Sequence, residues 1–193
     1  MFVVLEGGEG SGKSTQAERL AAWLREQGRE VVLTFEPGDT KMGAQMREML
    51  LHGDAPLGAP AELLLMLADR AQHVEEVIRP ALARGAVVVC DRYTPSTLAY
   101  QGVGRGLGVE VIDRLNEVAT QGVEPDVVIV LDVSEEVAAA RIPGHQDRLE
   151  RAGAEFHTRV RAAYRDLAEA RGWIIVDGTG TIDEVAARIE PLV

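Results

Sequence analysis

One cysteine is all the sequence has, so no disulfide can form within the chain, and Cys90 closes the apolar run Ala86-Val87-Val88-Val89 as a small buried hydrophobe rather than a catalytic thiol. Basic residues are also short, 20 Lys and Arg against 31 Asp and Glu, and a formal charge of −11 removes the basic surface that a nucleic-acid backbone needs in a partner. Local clusters can still bind small anions. No apolar run approaches the roughly 18 residues of a membrane span, and no basic segment precedes an apolar one at the N-terminus. Neither a membrane nor an exported location is expected, which leaves the cytoplasm. Repeats, low-complexity tracts and linkers are missing too. The expectation is one domain over residues 1–193, whose 46% hydrophobic and 26% charged content suits a single sizeable core.

What is present starts with Gly7-Gly8-Glu9-Gly10-Ser11-Gly12-Lys13-Ser14-Thr15, directly after the apolar run Phe2-Val3-Val4-Leu5. It fits the phosphate-binding pattern GxxxxGK[ST] between a strand-like and a helix-like segment, which is the context the motif requires. Its glycines let successive N–H groups turn inward around phosphate oxygens, and the helix that follows adds partial positive charge. Lys13 then reaches the β- and γ-phosphates, and the Ser14 hydroxyl is placed to ligate an accompanying Mg2+. A nucleoside triphosphate with its magnesium ion is the first expectation.

The rest of the chain alternates apolar strands with amphipathic helices. Ala17, Leu20, Ala21 and Leu24 mark a helix stopped by Gly28, and Val31-Val32-Leu33-Thr34-Phe35 a second strand broken by Glu36-Pro37-Gly38-Asp39. Residues 43–51 read as a short helix and residues 60–84 as a long one that Pro80 kinks. Residues 86–90 form a third strand and residues 94–97 open another helix. Residues 102–108 are glycine-rich and expected to be mobile. Val111, Ile112, Leu115, Val118 and Ala119 mark the next helix, and residues 127–131 a fourth strand ending in Asp132. Ser134-Glu135-Glu136-Val137 resembles a capping box. Residues 142–151 read as an exposed loop, residues 156–167 as a helix, residues 173–176 as a fifth strand and residues 182–189 as a last helix. Buried strands in such alternation give an α/β fold: a five-stranded parallel sheet with helices on both faces. Ligands gather at the carboxyl ends of such strands. Glu6, Glu36, Asp91-Arg92, Asp132 and Asp177-Gly178 all fall there and are expected around one crevice.

A phosphate loop alone does not separate kinases from switch ATPases. Asp91-Arg92-Tyr93 is more telling, because a carboxylate at a strand end can hold magnesium or its water shell. An adjacent arginine can bridge two phosphates. Asp132 competes for the metal role; Asp91 is preferred for its arginine.

With these blocks in place, the chain resembles bacterial thymidylate kinase. The resemblance rests on residues 6–15, Thr34-Phe-Glu-Pro-Gly, Ala68-Asp-Arg-Ala-Gln-His-Val, Asp91-Arg-Tyr-Thr-Pro-Ser-Thr-Leu-Ala-Tyr-Gln-Gly and Asp147-Arg-Leu-Glu, and covers nearly the whole chain in order. It implies the P-loop NTPase fold with a short lid at about residues 141–152, and transfer of the γ-phosphoryl of ATP to thymidine monophosphate. By matched motif it implies that Lys13, Arg92, Glu9 and Asp91 are catalytic and that Glu36, Pro37 and Arg47 hold the acceptor phosphate side. Arg70 would bond the thymine edge, Thr97 and Gln101 border base and sugar, and Tyr100 fill the space of a ribose 2′-hydroxyl. Ser14, Asp91 and Glu9 would attend the metal, with Glu155 assisting, and a homodimer through helix faces is implied.

The departures are specific. Phe35 stands where the family usually has arginine, Asp39 where it has a second glycine, and Met66 where it has a ring-stacking phenylalanine. The lid is shorter and less basic, offering Arg141, Arg148 and Arg151 with His145. Two other readings stay open on sequence: a switch or partitioning ATPase with no acceptor pocket, and a kinase for another monophosphate.

Overall fold

The computed structural model of the chain describes residues 1–53, 56–142 and 148–193. Its centre is a parallel sheet of β1 (Phe2–Glu6), β2 (Val31–Phe35), β3 (Val87–Asp91), β4 (Val127–Asp132) and β5 (Ile174–Asp177), in the order β2-β3-β1-β4-β5. Helices α1 (Lys13–Glu26), α2 (Lys41–Arg47), α3 (Ala59–His73), α4 (Arg79–Ala83), α5 (Thr94–Thr97), α6 (Val109–Thr120), α7 (Glu135–Arg141), α8 (Ala154–Arg171) and α9 (Ile182–Ile189) connect and cover it. β-branched runs make the strands, and the two-residue period of a strand divides them between faces. Val3 and Leu5 join a core with Leu20 and Leu24 of α1 and Val185 and Ile189 of α9. Phe2 and Val4 face the other way, onto Val74, Ile78 and Tyr93. Both faces are therefore buried along β1, β3 and β4, as the continuous apolar strands predict, while the edge strand β5 leaves Ile174 and Ile175 exposed, and each fully buried aliphatic side chain stabilises the fold by about 1.5–3 kcal/mol.

Register is what positions the site. Leu5 and Phe35 both pair with Asp91, so β1, β2 and β3 end at one level and the loops that follow leave the sheet side by side. The Glu36 amide donates to the Asp91 carbonyl and the Arg92 amide to the Leu5 carbonyl, each at 3.0 Å, extending that alignment past the strands.

Several sequence expectations shift here. The helix expected from Gly43 begins at Lys41, because the Thr40 hydroxyl accepts from the Gly43 amide and caps it. The long helix carries its irregularity just ahead of Pro80: α3 runs directly into a π-helical turn, Val74–Ile78, and Pro80, which offers no N–H to the carbonyls of that turn, follows in α4. The expected mobility of residues 102–108 is overturned in its first half. Leu98–Gly104 is a mostly buried π-helical segment, and a Cβ on Gly104 would lie 2.7 Å from the Phe156 ring, so the glycine there serves close packing. Ser134 caps α7 through the Val137 amide, but no glutamate stands at the return position; the complete capping box is Thr181 with Glu184, opening α9. Of the lid, residues 143–147, including His145 and the Asp147 of its motif, lie outside the described residues.

Candidate active site

The crevice has two compartments that share a wall. One, of about 500 Å3, is lined by residues 9–16, Arg141, Gly178, Gly180, Thr181, Ile182 and Val185. It is built from backbone. Gly10 has φ 70°, and a Cβ there would lie 2.4 Å from the Ala138 carbonyl oxygen, so the loop can follow its path only as glycine. Gly12, at φ 93°, is the N-cap of α1 and offers no side chain, which leaves the helix's first N–H groups open to a ligand. Arg141 Nη1 donates to the Gly178 carbonyl at 3.1 Å and overlooks the same compartment.

The other compartment, of about 340 Å3, is lined by side chains from β2, α2, α3, β3 and the segment after it. Glu36, Pro37, Arg47, Met66, Arg70, Asp91, Arg92, Thr97, Tyr100 and Gln101 all contribute, so the predicted acceptor residues are brought together from five separate stretches. Here the polar groups are buried and bonded to one another. Arg70 donates from Nε to Glu36 at 2.8 Å, from Nη1 to Thr97 at 2.9 Å and Asn116 at 2.6 Å, and from Nη2 to the Tyr93 carbonyl at 2.9 Å. Taken alone in sequence, Arg70 could be a surface ion-pair residue beside Asp69 and His73; in the fold it is 2% exposed and tied to Glu36 instead. Glu36 also pairs with His73 Nδ1 at 2.9 Å. Arg47 donates to the Pro37 carbonyl at 2.6 Å with its guanidinium 5.6 Å from the Phe35 ring centre, so Phe35 supports this arginine where the family's own arginine is absent. Gln101 is held by Glu62, which Arg105 also grips.

Glu9, Lys13 and Ser14 line both compartments. Lys13 Nζ donates to the Gly8 carbonyl at 2.9 Å, and Ser14 Oγ to Asp91 Oδ2 at 2.5 Å. Arg92 stands at φ 72°, unusual for a residue with a side chain and costing about 1 kcal/mol. That turn aims its guanidinium at Glu9, at 2.5 Å, and at the Tyr100 and Tyr164 hydroxyls. Burial alone would push the Glu9 carboxyl up, but Arg92 and then Lys13 outweigh it and hold the group at about 2. Burial and then the Arg92 charge push the Lys13 ammonium down from its ordinary value, against the pull of Glu9 and Asp91. Burial also opposes the charge on Arg92, yet Glu9 keeps it more firmly protonated than usual.

Some strand-end residues do not join. Asp132 is gripped by Arg165 at 2.9 Å and Asp177 accepts from Thr179 at 2.7 Å, so neither lines either compartment; only the neighbouring Gly178 does. Glu6 lies beneath the site, fully buried, accepting from the Tyr93 amide, Ser96 and Tyr164; burial raises its carboxyl. Glu155 is exposed in the first turn of α8 and lines neither compartment. Arg148 donates to the Gly53 carbonyl and lies outside both linings. Asn116 and Tyr164 were not singled out by sequence for the site, because each lies inside an amphipathic helix whose stripe reads simply as core.

Comparison with known proteins points one way. A family model described as thymidylate kinase matches residues 5–189. A thymidylate kinase from Synechococcus sp. (strain JA-2-3B'a(2-13)) is 52% identical over 98% of this chain and 92% of that protein, and one from Leifsonia xyli subsp. xyli is 49% identical over 98% and 92%. In structure, the crystal structure of thymidylate kinase from Ehrlichia chaffeensis superposes with a TM-score of 0.84 at 32% identity, covering 100% of this chain and 97% of that one.

Proposed function

The chain belongs to the thymidylate kinase family, moving the γ-phosphoryl of ATP to thymidine monophosphate to give ADP and thymidine diphosphate, and we propose that the transfer is direct and in line, with no phosphoenzyme. The observation that supports this is the shared wall: Glu9, Lys13 and Ser14 line both compartments, so a donor phosphate in one and an acceptor phosphate in the other meet over the same side chains. The attacking atom is an oxygen of a phosphate that is largely dianionic above about pH 6, so no general base is needed. The protein's work is positioning and charge neutralisation.

In this reading the glycine-rich loop and the start of α1 hold the donor phosphates, and Arg141 flanks the donor. Lys13 exchanges its Gly8 and Ser11 partners for the β- and γ-phosphates. Arg92, fixed by Glu9 and Tyr100, bridges transferring and accepting groups. Arg47 and the Glu36-Pro37 turn hold the acceptor phosphate side. Four of the five Arg70 N–H groups are committed within the protein, leaving one Nη2 hydrogen for a thymine carbonyl, with Met66, Thr97 and Gln101 bordering base and sugar. Tyr100 fills the position where a 2′-hydroxyl would need room.

The residues fit Mg2+. Asp91 Oδ1 is buried without a hydrogen-bond partner among the described residues, while Oδ2 takes the Ser14 hydroxyl. Among the described residues no cluster of three carboxylates or imidazoles could hold a metal alone, which suits an ion completed by phosphate and water oxygens. Ser14 and Asp91, with Glu9 nearby, would hold it; when bound, magnesium neutralises charge on the transferring phosphate. We further place the enzyme in the cytoplasm as a homodimer. Support comes from the free buried Cys90 and from apolar Leu64 on α3 and Val111 and Val118 on α6, exposed on a packed helix pair.

Transfer from ATP carrying a chiral γ-phosphorothioate tests the mechanism. Inversion at phosphorus is expected, and net retention would show a covalent intermediate and overturn it.

A further inference from the structure

A chain of buried groups runs behind the acceptor compartment: Glu36 Oε1 lies 2.9 Å from His73 Nδ1, His73 Nε2 lies 2.5 Å from Thr34 Oγ1, and Thr34 Oγ1 meets Asp39 Oδ2. Each of these three contacts needs one hydrogen. A neutral imidazole supplies one and the threonine hydroxyl another, while ionised carboxylates supply none. One contact would then set two lone pairs against each other. Glu36 cannot readily supply the missing hydrogen, because the Arg70 guanidinium donates to its other oxygen and favours the carboxylate. We propose that His73 and Asp39 share one extra proton, and that this proton locks the Glu36-Pro37-Gly38-Asp39 turn into the shape that receives the acceptor phosphate. His73 and Asp39 are thus positioning residues for thymidine monophosphate, resting on the reading of that compartment as the acceptor site.

The link to the acceptor is direct. Glu36 and Pro37 line the compartment, and the Pro37 carbonyl holds Arg47. With the proton in place the four charged groups Asp39, His73, Glu36 and Arg70 sum to zero in a segment where Thr34, Glu36, Arg70 and His73 are buried. Without it a net negative charge sits behind the seat of an incoming dianion, and one contact in the chain is lost. Asp39 makes this specific to the present sequence, since it stands where relatives are expected to have glycine. Other titratable and charged groups face the chain. Asp69 and Arg70 lie on the helix of His73, Arg47 on α2, and Cys90 and Tyr93 at the end of β3 both feel the Glu36 charge. Asp69 itself is pushed up to about 6 by burial and then by Glu36, so its titration overlaps the range of interest.

Asp39→Asn separates these effects. The amide offers its own N–H to Thr34, which frees the threonine hydrogen for His73, so every contact is made without the extra proton, and Asp69 is left in place. The KM for thymidine monophosphate is measured from about pH 6 to about pH 9 for both proteins, with imidazole nitrogen NMR on the parent. The expected result is a KM in the parent that rises about fivefold on the alkaline side, the scale of one lost hydrogen bond, and a much flatter limb in D39N, with the KM for ATP unmoved in both. NMR should show one histidine ring keeping both ring hydrogens to higher pH than the others, and losing that property in D39N. Superimposable KM profiles, or four histidine rings that lose their hydrogens together in the parent, would overturn the proposal. The NMR arm on the parent decides the matter even if D39N folds poorly. A protein inactive on thymidine monophosphate at every pH would instead count against the acceptor reading itself.

Discussion

On the proposed reading, the two compartments of the crevice bind anionic ligands by different means. On the donor side the proposed recognising atoms are mainly backbone amides, shaped by glycines such as Gly10 that leave no room for a Cβ, with the side chains of Lys13, Ser14 and Arg141 beside them. On the acceptor side recognition belongs to side chains that arrive already paired, Arg70 with Glu36, Thr97 and Asn116, and Arg92 with Glu9 and Tyr100. Backbone is indifferent to the nucleobase and suits a loop whose task is to hold phosphate. Buried side-chain pairs are selective, because a ligand of the wrong shape leaves them desolvated and unmatched. Damage to the first half should therefore fall on the triphosphate, and damage to the second on the choice and affinity of the monophosphate.

The largest effect is expected at the shared wall. Lys13→Ala removes a cation that attends both ligands, and kcat should fall by about a thousandfold, roughly 4 kcal/mol of transition-state stabilisation, in steady-state assays of a folded protein. Near-normal turnover would remove Lys13 from the mechanism. Next, Arg70→Lys confines the change to the acceptor half. An ammonium has three donors where the guanidinium uses four, so Glu36, Thr97, Asn116 and the Tyr93 carbonyl cannot all be satisfied, and the KM for thymidine monophosphate should rise about thirtyfold while that for ATP stays within about twofold. Equal rises in both would erase the contrast drawn above. Gly10→Ala is the converse. Its Cβ would lie 2.4 Å from the Ala138 carbonyl oxygen, so the KM for ATP should rise about tenfold with the acceptor KM unchanged.

These differences bear on what was legible beforehand. The donor half is written in consecutive residues, and strand, loop and helix around Lys13 follow from spacing and φ requirements alone. The strand ends were legible too, because apolar runs stop where the chain leaves the sheet. Which of them face the crevice was not. Asp132 and Asp91 look alike in sequence, and only the pairing of Asp132 with Arg165 and of Asp91 with Ser14 separates them. Arg70 was found, but its partners were not, since Asn116 lies 46 positions away inside a helix stripe. Long-range pairings of buried polar groups leave no local periodicity. The burial of Leu98–Gly104 was missed for a related reason: a glycine that admits the Phe156 ring, Gly104, is written like a glycine in a loop.

The smallest expected effect is on stability. Burial, followed by the Glu36 charge, raises the Asp69 carboxyl from 3.8 to about 6. The fold thus prefers it protonated, and stability is lost as the pH climbs from about 4 to about 6, with no further loss above. Asp69→Asn, which keeps an oxygen for the Gly38 amide, should melt about 3 °C higher than the parent near pH 7.5 and no higher near pH 4, by thermal denaturation followed with circular dichroism. A constant difference across pH would mean that the charge on Asp69 is not what matters.

The most direct test of a two-ligand crevice is ADP release from ATP and magnesium with a panel of nucleoside monophosphates. The account predicts that thymidine monophosphate accelerates release by orders of magnitude and is favoured over its ribonucleotide and over cytosine and purine monophosphates. Release that is equally fast with no acceptor present would contradict it.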